Sequence, residues 1–209
     1  MWLALAPAAV AEVDLERLLR GVEDRYNRPK TMQVLFDQSY SFQGRRRTES
    51  GVLYLRKPGR MRWEYHSPGM GPSGKLFLCD GKDIWFYNPA AQRVEKSRLR
   101  QTEDLRAPLA FLMGRLDFRR DFREFRTRAA GEETNIVALP RSERSPYRQV
   151  EFTVSASFQI RKLVITGQDS SVMEFALNQE RLDPPLDETL FQFRVPAGAE
   201  LVEVAEGVR

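Results

Sequence analysis

Residues 51–89 read GVLYLRKPGRMRWEYHSPGMGPSGKLFLCDGKDIWFYNP, a succession of two hairpin-like units. In the first unit, Met61, Trp63 and Tyr65 alternate with polar side chains, and this period of two places the two sets on opposite faces of one strand. The many aromatic residues supply more apolar area than one thin sheet needs. The stretch therefore predicts a sheet with one apolar face and one strongly charged face.

The same alternation recurs along most of the chain. It is found in residues 32–42, 149–154 and 173–178, and again near the end, where Phe191, Phe193 and Val195 form the last predicted strand. We expect about ten or eleven strands joined mainly by tight turns, which describes an antiparallel meander. Because the apolar face must be covered, the predicted fold class is α+β, mainly β with a helical lid.

Two segments are predicted to form the covering helices. The first begins at Asp14, a good N-cap, presents one apolar stripe that includes Leu19 and Val22, and ends before Pro29. The second is APLAFLMG, residues 107–114, with a proline in its first turn and a glycine at its end. So short and apolar a helix is either plain core or a lid that meets a ligand in one state and the sheet in another.

Length and composition indicate one exported domain. The 209 residues suffice for one core, and the positive charges that give a net +4 are scattered among acidic residues, which excludes a nucleic-acid-binding pattern. The N-terminus ends an apolar run in Ala9-Val10-Ala11, the small-x-small spacing of a signal-peptide junction. We expect residues 1–11 to be a signal-peptide remnant, with a frayed apolar tail as the alternative, and residues 12–209 to form a single domain. No cysteine follows the junction, so we expect no lipid anchor.

The sequence offers little for catalysis, metals or cofactors. The single cysteine, Cys79, and the single histidine, His66, cannot form an internal disulfide or the usual metal sites. We expect Cys79 to be packed in a buried strand and His66 to lie at the surface near a strand end. Residues 69–75 match the start of a phosphate-binding loop, but Leu76 replaces its Ser or Thr and strand-like sequence follows.

The acidic run at residues 183–188 is compatible with a pair of catalytic carboxylates, although its two prolines favour a turn that leads into a short helix. No nucleophile elbow or zinc-protease motif is present in the sequence. We therefore predict that the protein is not an enzyme and has no cofactor or metal.

Four segments, in order along the chain, resemble the family of periplasmic outer-membrane lipoprotein carrier proteins, the LolA family. They are YLRKPGRMRWEYHSP, LCDGKDIWFYNPAAQRV, APLAFLMG and FQFRVPAGAELVEV. The resemblance runs over most of the chain after Asp14, and the order of the pieces makes it more specific than any one of them.

The resemblance implies an incomplete, strongly curved antiparallel β-barrel whose apolar concave face is capped by helices. It also implies a monomeric periplasmic carrier that accepts lipoproteins from an inner-membrane ABC transporter complex. The carrier shields their acyl chains and passes them to an outer-membrane acceptor. The related acceptor is itself a lipoprotein with an N-terminal cysteine, so this chain resembles the soluble carrier.

Strand parity together with the inward face of the family predicts the lipid-binding residues. From the sheet they are Leu53, Leu55, Met61, Trp63, Tyr65 and Phe77, and from the helices Leu19, Val22, Leu109, Phe111, Leu112 and Met113. The alternative for each is an ordinary place in the core. Cys79 shares the parity of Phe77 and is expected to point inward as well.

One position departs from the family pattern. The resemblance places an arginine before the proline that ends the strand, where it latches the closed lid through backbone carbonyls, and here that position is Lys57. Lysine offers a flexible point charge where arginine offers a planar fork of five donors. Lys57 is therefore predicted to be a weaker latch, unless the neighbouring Arg56, which should face the opposite side, replaces it.

A second interpretation keeps the fold and changes the role. The chain would then be a binding module that senses a lipid or a lipoprotein and takes no part in transport. Release of bound acyl chains to a membrane acceptor distinguishes the carrier, whereas coupling to a signalling partner distinguishes the sensor.

Overall fold

The computed structural model describes residues 14–67, 71–99 and 116–203. Among them are helices α1 (Leu15–Asn27) and α2 (Phe118–Asp121), and two short 3-10 helices at Pro89–Ala91 and Glu188–Phe191. The strands are β1 (Thr31–Phe42), β2 (Arg45–Arg56), β3 (Arg60–Ser67), β4 (Gly71–Asp80), β5 (Asp83–Asn88), β6 (Arg93–Arg98), β7 (Phe122–Ala130), β8 (Glu133–Pro140), β9 (Tyr147–Ser155), β10 (Ile160–Gly167), β11 (Val172–Leu182) and β12 (Glu200–Glu203).

Helix α1 forms where its sequence predicts. The side chain of Asp14 accepts a hydrogen bond from the backbone N–H of Arg17 at 3.0 Å, which satisfies one of the free donors of the first turn. The apolar stripe is buried, at Leu18, Leu19, Val22 and Tyr26. The predicted N-cap, stripe and C-terminal end before Pro29 are confirmed.

The twelve described strands make one sheet in the order β12-β6-β5-β4-β3-β2-β1-β11-β10-β9-β8-β7. Every neighbouring pair is antiparallel except β12 and β6, which run parallel. The terminal strands β7 and β12 lie at opposite ends of this order, so the sheet does not close. The predicted fold, mainly β with an incomplete barrel, is confirmed with twelve strands.

The sheet curls around α1, as the contacts of Tyr26 demonstrate. Its backbone carbonyl accepts a hydrogen bond from Lys57 Nζ at the end of β2, and its hydroxyl accepts one from the backbone N–H of Ile160 in β10 at 2.9 Å. Two strands, β1 and β11, lie between β2 and β10. Tyr26 of α1 thus contacts strands on both sides of the β1–β11 pair, as expected for a sheet that curls around this helix.

The core fills the concave side of this curve. It joins the buried face of α1 to inward residues from β1–β3 and β9–β11, including Phe36, Leu53, Phe152, Leu163 and Phe175. Cys79 is a free, fully buried member of this core, as predicted. His66 is partly exposed near the end of β3, again as predicted.

The predicted last strand at residues 191–195 is wrong. The acidic run leads into the 3-10 helix Glu188–Phe191, which Asp187 caps by accepting from the backbone N–H of Thr189 at 2.8 Å. Residues 192–197 then adopt no strand, and the final described strand is β12, which pairs with β6. The predicted turn and short helix after residue 183 are confirmed.

The convex face is correspondingly less polar than the alternation predicted. Residues 184–199, which we call the C-terminal segment, lie against it: Phe193 stacks on Trp85 with ring centroids 5.1 Å apart, and Arg62 Nη1 donates to the carbonyl of Leu190 at 3.1 Å. Four apolar residues of the convex face are buried, namely Val52, Leu76, Leu78 and Val94. Alternation identified the concave face correctly, but it could not show that part of the other face is also covered.

Candidate functional site

The concave face of β1–β4 is built from rows of side chains that the strand register aligns. Because side chains alternate between faces, every second residue of each strand contributes. The first row is Met32, Leu55, Met61 and Cys79, the second is Val34, Leu53, Trp63 and Phe77, and the third contains Phe36, Gly51 and Tyr65. These rows form one continuous apolar surface, and α1 packs against it.

Aromatic rings dominate the second and third rows. The Trp63 ring lies 4.9 Å from that of Phe36, 6.4 Å from that of Tyr65 and, across β2 and β1, 5.6 Å from that of Phe175 in β11. Trp63 is only 4% exposed, and its indole N–H has no hydrogen-bond partner in the described part of the chain. Burying an unpaired donor is unfavourable, so this cluster is not optimised for stability alone.

The space enclosed by the concave face of the sheet, which we call the trough, has a second aromatic cluster on the wall opposite β1–β4. Phe118 of α2 lies 5.2 Å from Phe152 of β9, and Phe122 contacts both Phe152 and Phe125. The residue set predicted from the sequence omitted this wall because the family segments with the strongest resemblance lie in the other half of the sheet. Alternation within residues 149–154 was the signal for Phe152, whereas Phe118 stands among charged residues and had none.

The predicted lipid-binding residues fall into three groups. Six are buried in the core and contact one another or α1: Leu19, Val22, Leu53, Leu55, Met61 and Trp63. Tyr65 and Phe77 are partly exposed and pack on the edge of that core. The remaining four, Leu109, Phe111, Leu112 and Met113, lie outside the residues that the structure describes.

The space between α1 and the sheet is closely packed. A cavity of about 10 Å³ beside the C-terminal end of α1 is lined by Tyr26, Met32, Leu55 and Lys57, and it has room for about one water molecule. Other apolar residues around the trough remain partly exposed, namely Leu15, Leu99, Phe125, Tyr147, Phe158, Met173 and Leu182. A ligand would therefore meet an apolar rim first and could go deeper only by displacing core side chains.

Lys57 lies at one end of this trough. Its ammonium donates a hydrogen bond to the backbone carbonyl of Tyr26, in the last turn of α1, where the helix dipole favours a cation. Burial lowers the pKa of Lys57, and the negative charge of Asp183 opposes that shift. Arg56 points to the other face, as predicted, and binds Glu188 and the carbonyl of Leu186. The described partner of Lys57 is therefore α1.

A buried polar network, which the sequence did not reveal, ties the same end of α1 to β11. Glu180, whose side chain is 1% exposed, accepts two hydrogen bonds from Arg25, at 2.7 and 3.0 Å, and one from the Tyr26 hydroxyl at 2.6 Å. Glu180 turns inward because Gln179 adopts a left-handed conformation with φ of 50° and breaks the alternation of β11. The irregularity is a shift in the register of β11 with β1, which the sequence of β11 does not reveal.

The network predicts a loss of stability in alkaline solution. Burial, reinforced by Glu180, raises the pKa of Tyr26 far above its ordinary value of 10.0. Above pH 10 the unfolded chain loses this proton while the folded chain keeps it, so the free energy of unfolding falls by up to about 1.4 kcal/mol per pH unit for this group. We expect Tyr26→Phe to make the decline shallower in urea unfolding between pH 8 and 11. Equal slopes for the two proteins would contradict this assignment.

Comparison with known proteins agrees with this architecture. The family model described as outer membrane lipoprotein carrier protein LolA matches residues 27–194. The chain belongs to the LolA family. The matched residues include every described strand except β12.

Two relatives show how low the sequence identity is between this chain and other members of the LolA family. The outer-membrane lipoprotein carrier protein of Nitrosomonas europaea is 28% identical over 187 residues, which cover 88% of each chain. That of Proteus mirabilis is 24% identical and covers 86% of this chain and 85% of its own. The recognition made from the four sequence segments is confirmed.

One solved structure shows the same fold at low identity. A DUF1329 family protein from Desulfovibrio piger superposes with a TM-score of 0.50 at 11% identity, covering 85% of this chain and 96% of that one. A LolA superfamily protein from Nitrosomonas europaea has a TM-score of 0.47 at 12% identity, covering 87% and 99%. Within the described residues of this LolA-family chain, no helix has the length and apolar character needed to span a membrane.

Proposed function

We propose that this protein is a periplasmic lipoprotein carrier that binds acyl chains on the concave face of its sheet. The observation that supports this most strongly is the continuous apolar surface of β1–β4, in a chain that belongs to the LolA family. The relatives' name, outer-membrane lipoprotein carrier protein, supports the same substrate. The donor would be an inner-membrane ABC transporter complex and the recipient an outer-membrane acceptor.

The packed trough suits a carrier that must release its cargo. Burying one methylene group gains about 0.8 kcal/mol, so one sixteen-carbon chain held completely would gain roughly 12 kcal/mol and would leave too slowly. In this protein the inward face of α1 occupies the concave side. An entering chain has to displace those contacts, and their recovery on release offsets part of the binding energy.

Photo-crosslinking in cells tests the proposed site directly. A photoreactive residue at Phe77, which is partly exposed on the concave face, is expected to form an adduct with lipoproteins. The control position is Leu201 in β12, which is 45% exposed at an end of the sheet. Absence of a lipoprotein adduct at position 77, or equal adducts at both positions, would refute the proposal.

Lys57 is proposed to regulate uptake and release through its contact with α1. In Lys57→Leu the C-terminal carbonyl of α1 loses its donor, which costs only about 1 kcal/mol because that carbonyl can bind water instead. We expect nearly unchanged folding but altered rates of acyl-chain uptake and release, measured with a fluorescent lipopeptide. Lys82→Leu, in the exposed turn between β4 and β5, is the control. Parental rates in Lys57→Leu would show that this latch does not exist.

A further inference from the structure

The concave face of β1–β4 changes from apolar to polar at the third row. In β2 the inward position beyond this row is Glu49, two residues from Gly51. In β4 the inward position two residues from Phe77 is Lys75, which lies beside Tyr65 of the third row. Lys75 Nζ lies 2.6 and 2.8 Å from the two carboxylate oxygens of Glu49. A charged pair thus borders the aromatic surface on the same face of the sheet.

This pair is partly withdrawn from water. The Lys75 side chain is 26% exposed and that of Glu49 is 37% exposed, and the ammonium lies 4.1 Å from the centroid of the Tyr65 ring. Burial, with a smaller effect of Glu49, raises the pKa of Tyr65. Desolvation cancels much of the attraction in such a pair, so stability is a weak reason for its position beside an apolar surface.

We propose that Glu49 and Lys75 bind the ester and amide groups that join acyl chains to the polar part of the cargo, an inference that rests on the proposed function. An acyl chain lying along the apolar rows ends in a carbonyl group, and leaving that carbonyl unpaired on an apolar surface is unfavourable. At the border of the third row, the Lys75 ammonium is a charged donor for a carbonyl oxygen. The Glu49 carboxylate is an acceptor for an amide N–H.

The geometry also predicts how the cargo is oriented along the concave face. Hydrocarbon would contact Trp63 and Phe77, the linkage groups would contact Glu49 and Lys75, and the polypeptide of the cargo would emerge beyond them. Acylated cysteinyl peptides carry ester and amide linkages, whereas diacyl phospholipids carry esters only. Both supply a carbonyl oxygen for Lys75, only the peptide supplies an amide N–H for Glu49, and a plain hydrocarbon chain supplies neither.

Binding measurements with matched probes test this inference. The first probe is a peptide whose N-terminal cysteine carries ester- and amide-linked palmitoyl chains, and the second is the same peptide with alkyl chains of equal length and no carbonyl groups. A soluble short-chain diacyl phospholipid is the third. The variants are Lys75→Met and Glu49→Gln. The control is Lys162→Met, because Lys162 pairs with Glu174 at 3.0 Å between β10 and β11 on the convex face.

We expect Lys75→Met to weaken binding of the acylated peptide about tenfold, the effect of losing one charge-assisted hydrogen bond, and to change binding of the alkylated peptide less than about twofold. Glu49→Gln, which preserves shape, should act in the same direction, and Lys162→Met should change neither. If Lys75→Met weakens binding of the phospholipid as much as binding of the acylated peptide, the ester is the recognised group. If it weakens binding of the acylated peptide alone, the amide is the recognised group.

Equal losses for acylated and alkylated peptides would overturn the inference, because Lys75 would then act only through packing on Tyr65. Unchanged binding of both peptides by both variants would overturn it as well. Failure of the unaltered protein to bind either peptide would instead refute the carrier function. The two ideas therefore fail by different results.

Discussion

Gly51→Ala is expected to destabilise the fold by about 3 kcal/mol or more, a large fraction of the roughly 5–15 kcal/mol that typically stabilises a domain. A Cβ atom at this position would lie 1.9 Å from the backbone oxygen of Glu64 and 2.8 Å from the Phe36 ring. The first contact is with the neighbouring strand β3, so relief requires separating paired strands. The measurement is the urea midpoint and the slope of unfolding, and inclusion-body formation would be the extreme form of the same result.

Gly44→Ala is the matched control for this prediction. Gly44 has a φ of +74° in the β1–β2 turn, and a Cβ atom added there would have no described atom within 4 Å beyond its chain neighbours. Alanine there incurs only the cost of the left-handed conformation, about 1 kcal/mol. If the two variants lost similar stability, the close approach of Glu64 and Phe36 to Gly51 would not explain the effect of Gly51→Ala.

Phe77→Glu is expected to weaken lipopeptide binding by roughly 30-fold. A carboxylate at this position removes contact with two or three methylene groups, about 2 kcal/mol, and adds a cost of desolvation when an acyl chain approaches. Phe77 is partly exposed, so the charge stays hydrated in the empty protein and the fold should persist. Fluorescence titration with an acylated cysteinyl peptide measures the effect.

Tyr87→Glu is the control for Phe77→Glu. Tyr87 pairs with Leu76, so it lies on the opposite face of the same part of the sheet, and it is also a partly exposed aromatic residue. We expect binding by Tyr87→Glu to match that of the parent. Equal weakening by the two variants would mean that added negative charge, and not the concave face, is responsible.

Local sequence patterns were sufficient to predict much of this structure. The cap at Asp14 and the stripe of α1 concern residues within a few positions of one another, and the inward parity of Met61, Trp63 and Tyr65 follows from the period of a strand. The burial of Cys79 followed from the same alternation. Each of these features depends only on residues within one helix or one strand. They can therefore be predicted from the sequence before any long-range contact is known.

Other predictions failed or stayed incomplete because they depend on distant partners. Residues 191–195 alternate like a strand, yet Phe193 packs on Trp85 while β12 pairs with β6. Glu180 looks like an exposed strand residue until the left-handed Gln179 turns it towards Arg25. In each case the deciding contact joins residues far apart in the chain.

The sequence by itself determined the helix α1, the alternating strands and the family of this protein, because these follow from spacing between near neighbours and from the order of short motifs. Only the tertiary structure decided that α1 fills the concave face, that Lys57 binds the end of that helix, and that Glu49 and Lys75 border the aromatic rows. Curvature is the physical reason: bending one sheet brings strands that are distant in the chain around the same helix, and no local pattern records how far it bends.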